Sequence, residues 1–329
     1  MKKSVIIFSQ QPADIPLVLS LVRKSVQDSL TIVCVGVQNN YRFFTRVCEK
    51  EYKIMYIPRK TLPAPWQLSS FFGAIIFLKY IYKKRFSKIC NHDVYFFAKG
   101  HDWVSIYLIN KLAHSGNNIF FSPSISNTIE VKRYSFRESV LIIAYRWLCS
   151  AKVVFANTEM GRLLYWDHPL IKNTNIVTEP VIFEKFRTGI EVGPKTILLL
   201  DSNMESVNII KGYTETMLLF AKQLIGVGYR IHLKAHPRLS YTPGIKEYIE
   251  SEIPSFIPAE FIDCKNYSYV VGLSSNALSN ISLHYSNVVT IIDLFEYIDT
   301  NKKNAYKNFL LANPDNQILF ISNINELSL

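Results

Sequence analysis

Short runs of valine, isoleucine and phenylalanine recur along this chain, each too short for a helix and most followed by a stretch with helical spacing. Ser4–Ser9, Leu30–Val37, Lys53–Ile57, Asp93–Ala98, Asn118–Ser122 and Lys152–Ala156 read as buried strands, because a strand covered on both faces shows a continuous apolar run. Between them Ile15–Asp28, Trp66–Phe86, Trp103–Ala113 and Ser135–Cys149 have the length and period of helices. Strands that alternate with helices imply an α/β fold, a parallel sheet with helices on both faces. The stretch from Glu179-Pro180 to Gly193-Pro194 carries Gly189, mixed charge and little periodicity, and reads as a linker. Beyond it the alternation resumes. Thr196–Leu200, Arg230–Leu233, Ala259–Ile262, Tyr269–Leu273 and Val288–Leu294 are strand candidates, and Val207–Ile225 and Ile245–Ser251 are helix candidates. At 329 residues, two Rossmann-like domains are expected, residues 1–180 and 181–329.

Composition narrows the class. With 49% apolar residues the chain has ample material for real cores and is not a disordered polypeptide. No apolar run approaches the roughly 18 to 20 uncharged residues of a spanning helix. Met1–Gln10 resembles a signal peptide only in its two lysines; Gln10-Gln11-Pro12 interrupts its short apolar run, which reads instead as the first strand. The five cysteines, Cys34, Cys48, Cys90, Cys149 and Cys264, are scattered and odd in number, which fits a reducing cytoplasm rather than a disulfide framework or a zinc site.

Charge is unevenly spread. Residues 1–180 hold 24 Lys and Arg against 11 Asp and Glu, and residues 181–329 hold 13 against 15. A basic half beside a near-neutral half suggests that the first half meets something anionic: nucleic acid, an anionic membrane surface or a pyrophosphate-linked acceptor. No nucleic-acid recognition module accompanies the charge, so nucleic acid is not expected as a partner. Phe71–Lys88 is apolar, then basic and aromatic, and suits either a helix resting on an anionic membrane or a core helix with a basic exit. Lys132-Arg133, Arg137 and Arg146 add to the basic character.

The chemistry concentrates in the second half. Lys234-Ala235-His236-Pro237-Arg238 follows the apolar strand Tyr229–Leu233, and the proline stops that strand where strand ends meet ligands in open α/β sheets. Ile257-Pro258-Ala259-Glu260 places an acid at the next strand. Ser274-Ser275-Asn276 follows Tyr269–Leu273, and hydroxyls at a strand-to-helix turn serve both as a helix cap and as an anion site. Taken singly these are a solvated basic pair, a surface acid and a plain cap; together they suit a phosphate-bearing donor. A second His-Pro, Asp167-His168-Pro169, lies in a polar loop with no strand before it and reads as a decoy. Asp-x-Asp, Gly-x-Gly-x-x-Gly and the Walker A loop are absent from the sequence, which argues against a metal-bridged sugar nucleotide and against those dinucleotide and triphosphate sites.

In order and spacing over residues 196–295, Lys-x-His-Pro, Pro-Ala-Glu and Ser-Ser resemble the motifs of bacterial sialyltransferases, GT-B glycosyltransferases with two Rossmann-like domains and a cleft between them. The resemblance implies an inverting enzyme that needs no metal or other cofactor and moves sialic acid from CMP-sialic acid to a sugar hydroxyl. The acceptor implied is a lipid-diphosphate-linked glycan in lipopolysaccharide O-antigen or capsule assembly, at the inner face of the inner membrane. It further implies that His236 contacts the CMP phosphate as general acid, Lys234 lies near the cytosine and Glu260 takes the ribose hydroxyls. Ser274 and Ser275 would bind phosphate together with the backbone N–H groups that follow, at Asn276; Pro237 fixes the turn and Arg238 adds charge. The family's acidic-acidic-Gly motif, source of the base, is missing here. Asp201, Glu205 and Asp102 are the base candidates, with His101 and Glu130 next; Phe121–Asn127 lies where other branches carry their acid but is uncharged. Another CMP-linked sugar (Kdo, pseudaminic or legionaminic acid) and a non-catalytic binding protein are the alternatives, and the missing triplet favours the latter.

Overall fold

Val5–Ser9 (β1) and Thr31–Val35 (β2) are apolar on both faces and buried almost throughout, and they form the middle of a parallel sheet. The computed structural model describes residues 4–25, 31–47, 52–58, 63–100, 102–124, 133–158, 161–176, 190–204, 208–237, 239–312 and 314–327. The chain divides into two units, Met1–Glu179 and Pro180–Leu329.

In the first unit, Lys53–Tyr56 (β3), Asp93–Phe96 (β4), Asn118–Phe121 (β5), Lys152–Thr158 (β6), Gly161–Asp167 (β7) and Ile171–Asn173 (β8) follow β2. The sheet runs β3-β2-β1-β4-β5-β8, with every pairing parallel. Its helices are α1 (Ile15–Ser25), α2 (Gln38–Val47), α3 (Leu68–Arg85), α4 (Trp103–His114) and α5 (Phe136–Cys149). Asp102 caps α4 by accepting from the Ser105 N–H, and Ser135 with Glu138 forms a capping box on α5. Helix α4 packs against both α3 and α5, and ten of its twelve residues are buried. The core on this side of the sheet joins Ile6, Phe8, Val94 and Phe96 to side chains of all three helices.

One sequence expectation fails here. Lys152–Ala156 is a strand but does not enter the parallel sheet; β6 pairs antiparallel with β7 as a separate ribbon. Its apolar run signals burial, which an antiparallel partner satisfies equally well, and that partner was concealed in the mixed polar and aromatic sequence Gly161–Asp167. Trp166 of β7 is buried against Phe96, with ring centroids 5.2 Å apart.

In the second unit the strands are β9 (Thr196–Asp201), β10 (Ile210–Lys211), β11 (Arg230–Ala235), β12 (Ser251–Ile253), β13 (Tyr269–Gly272), β14 (Val288–Thr290), β15 (Glu296–Tyr297) and β16 (Ile318–Phe320). The helices are α6 (Tyr213–Gly226), α7 (Asn276–Ser282) and α8 (Thr300–Leu311). The main sheet runs β12-β11-β9-β13-β14-β16, again all parallel. Ile197, Leu199, Ile231 and Leu233 face α6, while Leu198, Val270 and Val288 face a second core that includes Leu278 of α7.

Three boundaries differ from expectation. The helix expected from Val207 begins only at Tyr213, because Ile210-Lys211 pairs with β15 and Gly212 takes a left-handed φ of 53°. Ala259–Phe261 is a 3₁₀ turn opened by Pro258, not a strand. Where a helix was expected, Ile245–Tyr248 is 3₁₀ and Ser251–Ile253 is an edge strand, too short to show a period.

Counted along each unit, both sheets have the strand order 3-2-1-4-5-6 of a doubly wound fold. The α/β class and the two Rossmann-like units of a GT-B protein are therefore present. In each sheet the order reverses between the first and fourth strands, and ligands of such sheets bind beyond the carboxyl ends at that point.

Candidate active site

The reversal in the second sheet falls between β9 and β13. Lys234 of β11 and Gly272 of β13 both sit opposite Leu200 of β9. Asp201-Ser202, Ala235-His236 and Leu273-Ser274 therefore leave the sheet side by side, on strands about 4.8 Å apart. A Cβ at Gly272 would lie 3.3 Å from Leu200 Cβ and 3.4 Å from Leu278 Cδ1, so a larger residue there would crowd β9 and α7.

His236 opens a tight turn. Its N–H donates to the Asp201 carbonyl at 2.7 Å, and it exchanges backbone bonds with Ser240 at 3.2 and 3.0 Å. Pro237 lies within this turn, and Ser240 closes it in the left-handed region at φ 61°. The Leu239 N–H donates to His236 Nδ1 at 3.0 Å. That bond makes Nδ1 an acceptor, so the proton of the neutral ring resides on Nε2. The imidazole is half-buried.

Asp201 is 2% exposed, and its carboxylate is committed to the protein. Oδ2 accepts from the Thr242 N–H at 2.7 Å, and Oδ1 accepts from Thr242 Oγ1 at 2.9 Å and Tyr213 Oη at 3.2 Å. Burial raises its pKa, and these bonds oppose the rise. One side chain thus ties the end of β9 to the start of α6 and to the far side of the His-Pro turn. Asp102, in the first unit, is also buried, and its Oδ2 accepts from Ser105 Oγ at 2.5 Å. As described, neither carboxylate is open to an acceptor hydroxyl.

Lys234 does not stand free beyond the strand. Strand β11 continues through Ala235, and Lys234 is 4% exposed inside it. Its Nζ donates to the carbonyls of Ala235 at 3.0 Å and Ser255 at 3.3 Å. Burial lowers its pKa to about 8, against the opposing charges of Glu260 and Glu252. Glu260, half-buried in the 3₁₀ turn, has its pKa raised by burial, with Lys234 acting the other way. Among the described residues no ion pair joins them. Each charge therefore acts on the other's protonation without a direct bond between them.

Ser275 Oγ accepts from the Leu278 N–H at 3.1 Å as cap of α7, and Asn276 is its exposed first residue. Ser274 is half-buried, and its hydroxyl makes no hydrogen bond among the described residues. Glu205, Arg238, His101, Glu130 and Ile125–Asn127 lie outside the described residues. The decoy motif needs correcting: His168 does follow a strand, since β7 ends at Asp167, but that strand belongs to the antiparallel ribbon. Its Nδ1 accepts from the Leu170 N–H at 3.1 Å, and its ring meets His114 edge-on.

The switch point of the first sheet holds an acid that sequence reasoning passed over. Asp14 is fully buried; its Oδ2 accepts from the N–H groups of Gln10 at 2.6 Å and Gln11 at 2.9 Å, and Oδ1 from Ser124 Oγ at 2.7 Å. The Gln10 side chain bridges β1 to the residues after β4, accepting from the Phe97 and Ala98 N–H groups and donating to the Ala98 carbonyl. The available signal was the polar run Gln10-Gln11-Pro12-Ala13-Asp14 between a buried strand and a helix.

Burial pushes the Asp14 carboxyl from 3.8 up to about 6. A folded-state pKa above the unfolded value gives stability that is complete below about pH 4 and lost as pH rises through about 6. Over that window the parent chain is expected to lose roughly 3 kcal/mol relative to Asp14→Asn. Melting temperatures of the two proteins against pH check this, and parallel curves would show that Asp14 titrates normally.

No family model and no curated protein matches the chain. Among solved structures, it is similar to a UDP-GlcNAc 2-epimerase from Methanocaldococcus jannaschii, at 15% identity over 100% of this chain and 91% of that one, with a TM-score of 0.47. It is also similar to a family 9 glycosyl transferase from Veillonella parvula, at 10% identity over 97% and 87%, TM-score 0.44. A third likeness is to a spinosyn rhamnosyltransferase complexed with thymidine diphosphate, at 10% identity over 99% and 88%, TM-score 0.43. At these values none of them assigns a donor or a reaction, and the fold class rests on strand order and register.

Proposed function

We propose that this chain is an inverting, metal-independent glycosyltransferase of the GT-B class that transfers sialic acid from CMP-sialic acid to a galactosyl-type hydroxyl. The acceptor in this reading is a lipid-diphosphate-linked intermediate of lipopolysaccharide O-antigen or capsule assembly. One observation carries it: His236 and Ser274 flank the end of β9 at the switch point of the second sheet, with Lys234 on the adjoining strand and Glu260 in the 3₁₀ turn that follows β12.

The donor's anomeric carbon is tertiary and bears a carboxylate, so the bond to CMP breaks through an oxocarbenium-like transition state. Charge then accumulates on the leaving phosphate. His236 Nε2–H and the Ser274 hydroxyl are donors for that charge, and donors fixed before the reaction stabilise it without reorganisation. Glu260 offers two acceptor oxygens to a ribose diol. Lys234, whose pKa burial lowers to about 8, would hold its charge more firmly when an anion arrives. The acceptor hydroxyl needs a base within hydrogen-bond reach. With Asp201 and Asp102 committed to internal bonds, Glu205 is the candidate we retain.

The test is release of CMP from CMP-N-acetylneuraminic acid on addition of galactosyl glycans, repeated in excess EDTA. Acceptor-dependent release that survives the chelator is expected. Turnover restricted to CMP-Kdo or CMP-activated pseudaminic or legionaminic acid would replace the donor and keep the site. Binding of CMP with no turnover of any donor would make the chain a binding protein, and a requirement for magnesium or manganese would overturn a phosphate site built from side chains.

A further inference from the structure

We propose that the first unit docks onto an anionic lipid surface through the outward faces of α3 and α5. Leu68, Phe72, Ile76 and Tyr80 recur every fourth residue along α3 and so form one stripe, each more than half exposed. Trp66, also exposed, extends it toward the N-terminus. On α5, Phe136, Ile143 and Trp147 fall on one line, and Phe136 reaches 84% exposure. Both helices pack on α4 and share one hydrophobic core, so they lie on the same side of the first sheet. Soluble monomers rarely leave aromatic stripes of this kind open to water.

Charge selects the occupant. Lys79 and Lys83 share the exposed face of α3, and Lys84 Nζ donates to Tyr80 Oη at 3.1 Å. Exposed Arg137 and Arg146 flank the α5 stripe on either side. The sequence has no Asp or Glu between Glu51 and Asp93. A second copy on this face would set those cations against their own kind, whereas anionic headgroups neutralise them. Trp and Tyr beside Lys and Arg, over a shallow apolar face, match the boundary between headgroups and acyl chains. The contact lies in the plane of the surface: the inner face of α3 is buried through Phe71, Ile75, Leu78 and Ile81, and no helix among the described residues is long and apolar enough to cross a membrane. This docking stands independently of the donor, although it would set the chain beside a lipid-linked acceptor.

The full chain would be sedimented with vesicles of equal parts phosphatidylglycerol and phosphatidylcholine, and with phosphatidylcholine alone. A partition coefficient roughly tenfold higher or more on the anionic vesicles is expected, falling as salt is raised. Lipids brominated near the headgroup should quench tryptophan emission, and Trp147→Phe should remove much of that quenching. The double variants Phe72→Ser with Ile76→Ser, and Ile143→Ser with Trp147→Ser, should each lower partition by about tenfold with unchanged circular dichroism, since these side chains face solvent. Equal binding to neutral and anionic vesicles, or full binding by both double variants, would overturn the proposal. So would a dimer in solution that the same serine variants dissociate, because the stripes would then be an interface between copies.

Discussion

Replacing His236 by alanine is expected to lower the transfer rate by roughly 10²-fold or more while moving the melting temperature by no more than about 2 °C. The separation of the two effects follows from how the turn is held. Its geometry rests on backbone bonds to Asp201 and Ser240 and on Pro237, all of which an alanine retains. The Leu239 N–H loses its imidazole acceptor, but at a half-buried position water can replace it. What an alanine cannot supply is the imidazole N–H that the proposed reaction assigns to the leaving phosphate. His168→Ala provides the control: that histidine follows an antiparallel strand, and transfer should be nearly unchanged. Equal losses from the two variants would mean that the wrong His-Pro was assigned.

That assignment also shows what a sequence makes legible. The inner parallel strands of both sheets announce themselves, because burial on two faces forces runs such as Val5-Ile6-Ile7-Phe8 and Thr196-Ile197-Leu198-Leu199-Leu200. His236 and Ser274 were legible as residue types at strand ends, whereas Glu260 lies in a 3₁₀ turn that the sequence read as a strand. Edge and ribbon elements were not: β10, β12 and β15 have two or three residues each, and nothing in so few residues carries a period. The state of each side chain was also hidden. Lys234 read as a base-binding cation beyond the strand's end at Leu233, yet β11 extends two residues further and buries it. Asp14 went unread behind the interruption Gln10-Gln11-Pro12, yet it is the buried acid at the first switch point. Strand length and burial are set by neighbours distant in sequence, so local pattern cannot supply them.

The larger loss of stability is expected at Asp201. Its carboxylate accepts three hydrogen bonds from Thr242 and Tyr213, both buried, and its own backbone carbonyl holds the His236 N–H. Asp201→Ala would strand a buried N–H and two buried hydroxyls without acceptors, a loss of about 3 kcal/mol or more. For a unit of this size that corresponds to a fall in melting temperature of roughly 10 °C. Asp201→Asn keeps one acceptor oxygen but presents an amide N–H to hydroxyls that had donated, so an intermediate fall is expected. If the carboxylate holds the His-Pro turn, both variants should weaken CMP binding and lose stability in the same order, alanine more than asparagine. Thr242→Val, which removes a single hydroxyl from the same network, should then reproduce a smaller version of both losses. A general base behaves otherwise: Asp201→Asn would abolish transfer while melting and CMP affinity stayed at parental values, and Thr242→Val would leave transfer intact. Thermal melts and CMP titrations of the three variants separate the roles without requiring the acceptor to be known.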